Sequence, residues 1–102
     1  MNASRKADLK GVATAFLNGE IRPLEAALEL SNFEHEDPPE NLSEALIAMV
    51  AVVSETDDIP LGERRSLWHP DVQAAKGAEH DRAQEWAAPI VRDTCEQIVA
   101  VL

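Results

Sequence analysis

Ala83-Gln84-Glu85-Trp86-Ala87-Ala88-Pro89-Ile90-Val91-Arg92-Asp93-Thr94-Cys95-Glu96-Gln97-Ile98-Val99-Ala100-Val101-Leu102 decides the fold. Ala83, Trp86, Ala87, Ile90, Val91, Thr94, Cys95, Ile98, Val99 and Leu102 recur at the spacing of one α-helical face. The register survives Pro89, so the proline predicts a kink in a long last helix rather than a break. Trp86 on that stripe is expected in the core with one acceptor for its ring nitrogen. Cys95 is expected there as a small buried hydrophobe.

Further back, His69-Pro70-Asp71 reads as a helix start, with Pro70 at the first position and Asp71 complementing the helix dipole. Val72, Ala75 and Ala78 lead from it into the stripe, and Gly77 adds a soft point. Before it, a helix from Asn41 or Ser43 carries Leu42, Ala45, Leu46, Ile47, Met49, Val50, Val52 and Val53 and so has almost no polar side. Such a helix must be surrounded. Either the other helices enclose it as a central rod, or a second copy covers one face in a homodimer through Ala45–Val53. Val50, Val52 and Val53 would also suit a buried strand, but no alternation supports one.

Asp37-Pro38-Pro39-Glu40 must be a loop, because adjacent prolines remove two backbone donors and push the preceding residue out of the α region. Upstream, Pro23 opens a helix with Leu24, Ala27 and Leu28 inward and Glu25 and Glu29 outward. A first helix places Leu9, Val12, Ala13, Phe16 and Leu17 on one stripe, with Ser4 as N-cap and Gly19 as its end. The expectation is all-α: one domain over residues 1–102, a compact bundle of four to five helices around a central apolar helix, with the last helix long and kinked near Pro89. The four aromatics, Phe16, Phe33, Trp68 and Trp86, together with many alanines predict a thin core of closely packed helices.

Charge gives the functional direction. The 41 residues from Pro23 to Glu63 hold eleven carboxylates and no lysine or arginine, whereas the whole chain has a net charge of −10. Such a field repels nucleic acid and anionic membrane and attracts basic partners. No apolar run approaches the roughly 20 residues needed to span a bilayer. Asp8, Lys10, Asn18 and Glu20 interrupt any secretory apolar core after Arg5 and Lys6, and a lone Cys95 allows no internal disulfide, so the expected location is cytoplasmic.

Chemistry-bearing motifs are absent from the sequence. His35, His69, His80 and Cys95 are scattered without metal-ligand spacing, and the crowded Glu34-His35-Glu36-Asp37 is read as a solvated loop. Asp57-Asp58 lacks the alternating oxygen ligands of a calcium loop. Gly11, Gly19, Gly62 and Gly77 stand alone, so no phosphate-cradling loop exists. The carboxylates are many but unplaced for acid–base work. No cofactor or metal is expected, and no catalytic residue is assigned.

The most specific choice of residues lies in Ser54-Glu55-Thr56-Asp57-Asp58-Ile59-Pro60-Leu61-Gly62-Glu63-Arg64-Arg65-Ser66-Leu67-Trp68. Hydroxyls and carboxylates here can cap helix ends and pair with arginines. One reading is a structural clasp in which Glu55 or Asp57 holds Arg65 while Trp68 plugs the end of the core. The other makes Glu55, Asp57, Asp58, Arg64, Arg65 and Trp68 the rim of a partner-binding surface, with charge pairs and cation–π contact for a basic protein. This Ser-Glu-Thr-Asp-x-x-Pro-x-Gly-x-x-Arg-x-x-Trp element resembles one found in small acidic helical bacterial proteins of unknown function. The resemblance covers about fifteen residues and implies no activity.

The leading expectation is a non-enzymatic protein-binding module with an acidic surface, of the immunity or inhibitor type, for a basic partner. Small acidic immunity proteins that neutralise basic nucleases are similar in size, charge and class, an analogy of type rather than of sequence. The alternatives are a ligand-binding protein or enzyme with an inter-helix pocket lined by Trp68, Trp86 and His69 with Arg64 or Arg65, and a structural homodimer subunit.

Overall fold

The computed structural model describes residues 1–56 and 70–102, and for residues 70–79 the backbone alone. Four helices make up the described residues: α1 Ala3–Leu17, α2 Pro23–Ser31, α3 Glu40–Glu55 and α4 Pro70–Val101. The fold is all-α. Among the described residues no helix is long and apolar enough to cross a membrane.

α1 is capped by Asn2 rather than Ser4. The Asn2 side chain accepts the Arg5 backbone N–H at 2.9 Å, which leaves Ser4 inside the first turn. At the other end Gly19 takes φ 79°, Gly19 N donates to Phe16 O and Glu20 N to Ala15 O. This paired closure satisfies two orphan carbonyls and needs a residue at ease in the left-handed region. Leu9, Ala13 and Phe16 form the buried stripe of α1.

Pro23 opens α2 as its spacing predicts, and Leu24, Ala26, Ala27 and Leu30 are buried. Leu28, expected inward, is 44% exposed; the helix is rotated so that Leu30 takes the inner place. A turn through Phe33, whose ring is buried, leads to Asp37 at φ 53° and the extended Pro38-Pro39. The double proline ends helical pairing there, as its chemistry requires.

α3 starts at Glu40 and buries Leu42, Ala45, Leu46, Met49 and Val52. Among the described residues α3 packs on α2 and α4, and Ile47 (51% exposed) and Val50 (39%) face outward. Among the described residues α2 and α4 each pack on all the other helices. Leu42, Ala45, Leu46, Met49 and Val52 recur at helical spacing and form the inner face of α3, with Glu44, Ile47 and Val50 off it.

α4 runs unbroken through Pro89. Ala87, Val91, Cys95 and Ile98 fill its core side, joined by the buried polar residues His80, Gln84 and Thr94. Trp86, expected in the core, is 47% exposed, and Val99 is also exposed. The buried stripe centres on Ala87, Val91 and Ile98, so Trp86 falls at its border, about 100° around the helix from Ala87. Leu9, Leu30, Leu42, Leu46, Met49, Val91 and Ile98, all fully buried, make one continuous core shared by the four helices.

Candidate functional site

α3 and α4 meet along Ala45 and Thr94, whose hydroxyl donates to the Ala45 carbonyl at 3.4 Å. Outside that contact the two helices leave an open groove of about 470 Å³ lined by Glu44, Ala45, Ala48, Pro89, Ile90, Asp93, Thr94 and Gln97. Helical spacing explains the set. Glu44 and Ala48 lie one turn apart on α3, and Pro89, Ile90, Asp93 and Gln97 follow one another on α4 at intervals of three and four. Trp86 stands one turn before Pro89 and Ile90 on the same α4 face and extends the apolar surface.

The floor is small and apolar; the rim is acidic. Ala45 is buried, Ala48 and Ile90 are half-buried, and Glu44, Pro89, Asp93 and Gln97 are exposed. Among the described residues no lysine, arginine or histidine lines the groove. One oxygen of Asp93 accepts from Gln97 Nε2 at 3.0 Å. Pro89 has no N–H, so the Glu85 carbonyl one turn earlier has no i+4 donor.

A second polar constellation joins α4 to the start of α2. Leu24, at the second position of α2, donates its N–H to Gln84 Oε1 at 2.8 Å. Arg22, the N-cap residue, makes no side-chain cap. Gln84 of α4 therefore caps α2 from another element. Its Nε2 lies 3.2 and 3.3 Å from the Glu25 carboxylate oxygens and 3.4 Å from His80 Nε2. With Gln84 donating to His80 Nε2, the histidine proton belongs on Nδ1. That atom is buried, has no hydrogen-bond partner among the described residues and is 3.7 Å from Asp81 Oδ1. An open cleft of about 380 Å³ beside this cluster is lined by Arg22, Pro23, Asp81, Gln84 and Glu85.

At the opposite side of α1, Arg5 donates from Nε and Nη2 to the two carboxylate oxygens of Glu36, each at 2.7 Å, and from Nη1 to Asp8 at 2.9 Å. Its guanidinium also lies 4.5 Å from the Phe33 ring centre. The hydrogen bonds and charge of Arg5 hold the Glu36 carboxyl below the ordinary glutamate range, and Glu36 in turn raises the Arg5 pKa. The N-terminal ammonium donates to Asp37 O at 3.0 Å, fixing the same loop a second time. This is a clasp between α1 and the 33–37 turn.

Cys95 is fully buried, and burial, with the Glu96 charge second, pushes its thiol up to about 12. A thiol in that state is no nucleophile at neutral pH. Of the partner-binding residues expected from sequence, Glu55 ends α3 and is exposed. Asp57, Asp58, Arg64, Arg65 and Trp68, together with His69, lie outside the described residues. The pairing of Glu55 or Asp57 with Arg65 falls there too.

Sequence reading missed Glu44 and Asp93 as a facing pair of rims, Gln84 as a remote cap, and the Arg5–Glu36 clasp. Gln84 did carry a signal: it is a polar residue one turn before Ala87 and Ala88 on an otherwise apolar face, which requires a partner. Glu36 is 31 residues from Arg5, and no local pattern joins them. Comparison with protein-family models, with curated proteins and with solved structures finds no match.

Proposed function

We propose that the protein is a non-enzymatic binding module whose acidic surface receives a basic protein, in the manner of an immunity or inhibitor protein. The observation that carries this reading is the α3–α4 groove, in which an apolar floor of Ala45, Ala48, Pro89 and Ile90 is rimmed by Glu44 and Asp93, with no cation among the described lining residues. Half-exposed Trp86 beside it adds the kind of aromatic anchor that concentrates binding energy. The apolar floor supplies contact, and the rim supplies rate and selection by charge. Glu55, with Asp57 and Asp58 following it in sequence, lengthens the carboxylate series that a basic surface would meet.

Charge reversal at the rim tests this. Tagged wild-type protein and the double variant Glu44→Lys/Asp93→Lys are used to capture proteins from lysate of the source organism at low salt and eluted with rising salt. A basic protein held by the wild type should bind the variant about tenfold more weakly, and the difference should shrink once salt shortens the Debye length to about 3 Å at 1 M. Equal capture by both proteins at every salt concentration would remove the groove from the binding surface.

A further inference from the structure

Resting on the reading of the protein as a receiver of basic partners, we propose that the α3–α4 groove takes an amphipathic α-helix of that partner, with its apolar side on Ala48, Pro89, Ile90 and Trp86 and lysine or arginine side chains against Glu44 and Asp93. The shape argues for a helix. α2 packs on both α3 and α4, filling one side of that pair, whereas the groove leaves another side open. Two helices packed about 8–10 Å apart leave a furrow between their side-chain ridges that a third helix can fill. The alanines at 45 and 48 keep that furrow shallow enough for close approach. Along α4 the face from Trp86 to Gln97 extends about 17 Å, room for about three turns of an incoming helix.

An extended segment fits less well. It binds through rows of main-chain donors and acceptors, and helices offer none from their interiors except where a proline interrupts. Here Pro89 lines the groove, but Glu85, whose carbonyl lacks its i+4 donor, lines the cleft against α2 instead.

Charge decides against a second copy of the chain as occupant. Two copies related by a twofold axis through this groove would set Glu44 and Asp93 of one against the same residues of the other, with no cation among the described lining residues to separate them. Each chain would also bring a net charge of −10. Like charges held face to face at an interface oppose association, whereas a lysine-rich helix replaces that repulsion with complementarity.

Two labelled peptides of about 14 residues, four helical turns, test the inference by fluorescence anisotropy at low salt. One has leucines along one helical face and lysines on the other. The second keeps every lysine and replaces each leucine with glutamine. The leucine peptide should bind wild-type protein about tenfold more tightly than the glutamine peptide. Ala48→Gln, and separately Trp86→Gln, should remove most of that preference, while Val50→Gln on the outer face of α3 should leave it intact. Circular dichroism melts confirm that each variant is folded. Two substitutions on different helices keep the test valid if one of them fails to fold. Equal binding of both peptides, or a preference lost in Val50→Gln and retained in Ala48→Gln and Trp86→Gln, overturns the helix-in-groove inference while leaving an acidic receiving surface in place. Absence of binding by either peptide at low salt overturns both.

Discussion

Gln84 shows how one side chain can serve two elements. Pro23 at the first position of α2 has no N–H to satisfy, so the first donor needing a partner is Leu24 N, and Leu24 is buried. The Gln84 amide oxygen takes that proton while its nitrogen faces Glu25 and His80. Replacing it with leucine keeps much of its volume but leaves the Leu24 N–H without an acceptor in the interior. The expected loss is about 1–3 kcal/mol, the desolvation cost of an orphaned buried donor. Urea unfolding of Gln84→Leu measures it, with Gln97→Leu as the control, since Gln97 is exposed and bonded only to exposed Asp93. Equal midpoints for the two variants would mean that the α2 cap contributes nothing net. The sequence marked Gln84 as unusual without naming its partner, because Leu24 is 60 residues away and only the packing of α4 on α2 brings the two together. The Arg5–Glu36 clasp was illegible for the same reason, whereas Gly19 and Pro23 declared themselves because their effects on the backbone are local.

At the scale of whole helices, periodicity worked where a helix has two chemically different faces and failed where it does not. α4 was legible over Ala87, Val91, Cys95 and Ile98, but its border was not. A stripe of ten positions is wider than the face that three neighbours can cover, and bulky Trp86 fell outside it. α3 carries apolar residues on its outer face as well, so its exposed Ile47 and Val50 could not be told by hydropathy from its buried Leu46 and Met49. The groove between the two helices was correspondingly invisible, since its rims come from Glu44 and Asp93, 49 residues apart in the chain and ordinary surface carboxylates in isolation. Pro89 was visible as a helix imperfection, and the structure gives it a place in the groove. An interior proline costs a helix about 3 kcal/mol relative to alanine, and Pro89 is exposed, so little packing offsets that cost. Pro89→Ala should raise stability by about 1–3 kcal/mol in urea unfolding, since it restores a donor to the Glu85 carbonyl. The same substitution should weaken binding of the leucine–lysine peptide, because the ring surface of Pro89 is removed from the groove. A variant that lost stability would show instead that the other helices are fitted to a bent α4. A gain in stability accompanied by a loss of binding is the pattern expected when a functional site retains a locally unfavourable residue.

For the molecule as a whole, the eleven carboxylates between Pro23 and Glu63 have no lysine or arginine among them, and their relief must come from elsewhere in the chain. Arg5 supplies some of it by holding Glu36. Among the described residues the rest of α2 and α3 gains no such ion pair: Glu29, Glu40, Glu44 and Glu55 stand exposed along a flank whose neighbouring helix, α4, adds Asp93. A charge distribution of this kind opposes compaction through self-repulsion, and salt screens the repulsion within about 10 Å at 0.1 M. Salt also weakens the exposed Arg5 pair, but such pairs contribute little to stability, so the repulsive effect should dominate. The melting temperature should therefore rise between about 0.02 M and 0.5 M sodium chloride, and rise less in Glu44→Gln/Asp93→Asn, where part of the repulsion has been removed. A melting temperature that falls with salt would mean that ion pairs outweigh repulsion, and the acidic flank could not then be read as a surface held at a cost in stability for a basic partner to neutralise. If the rise is observed, binding of that partner and folding are linked: neutralising the rim relieves the same repulsion that salt screens, so the bound protein should melt higher than salt alone can make it.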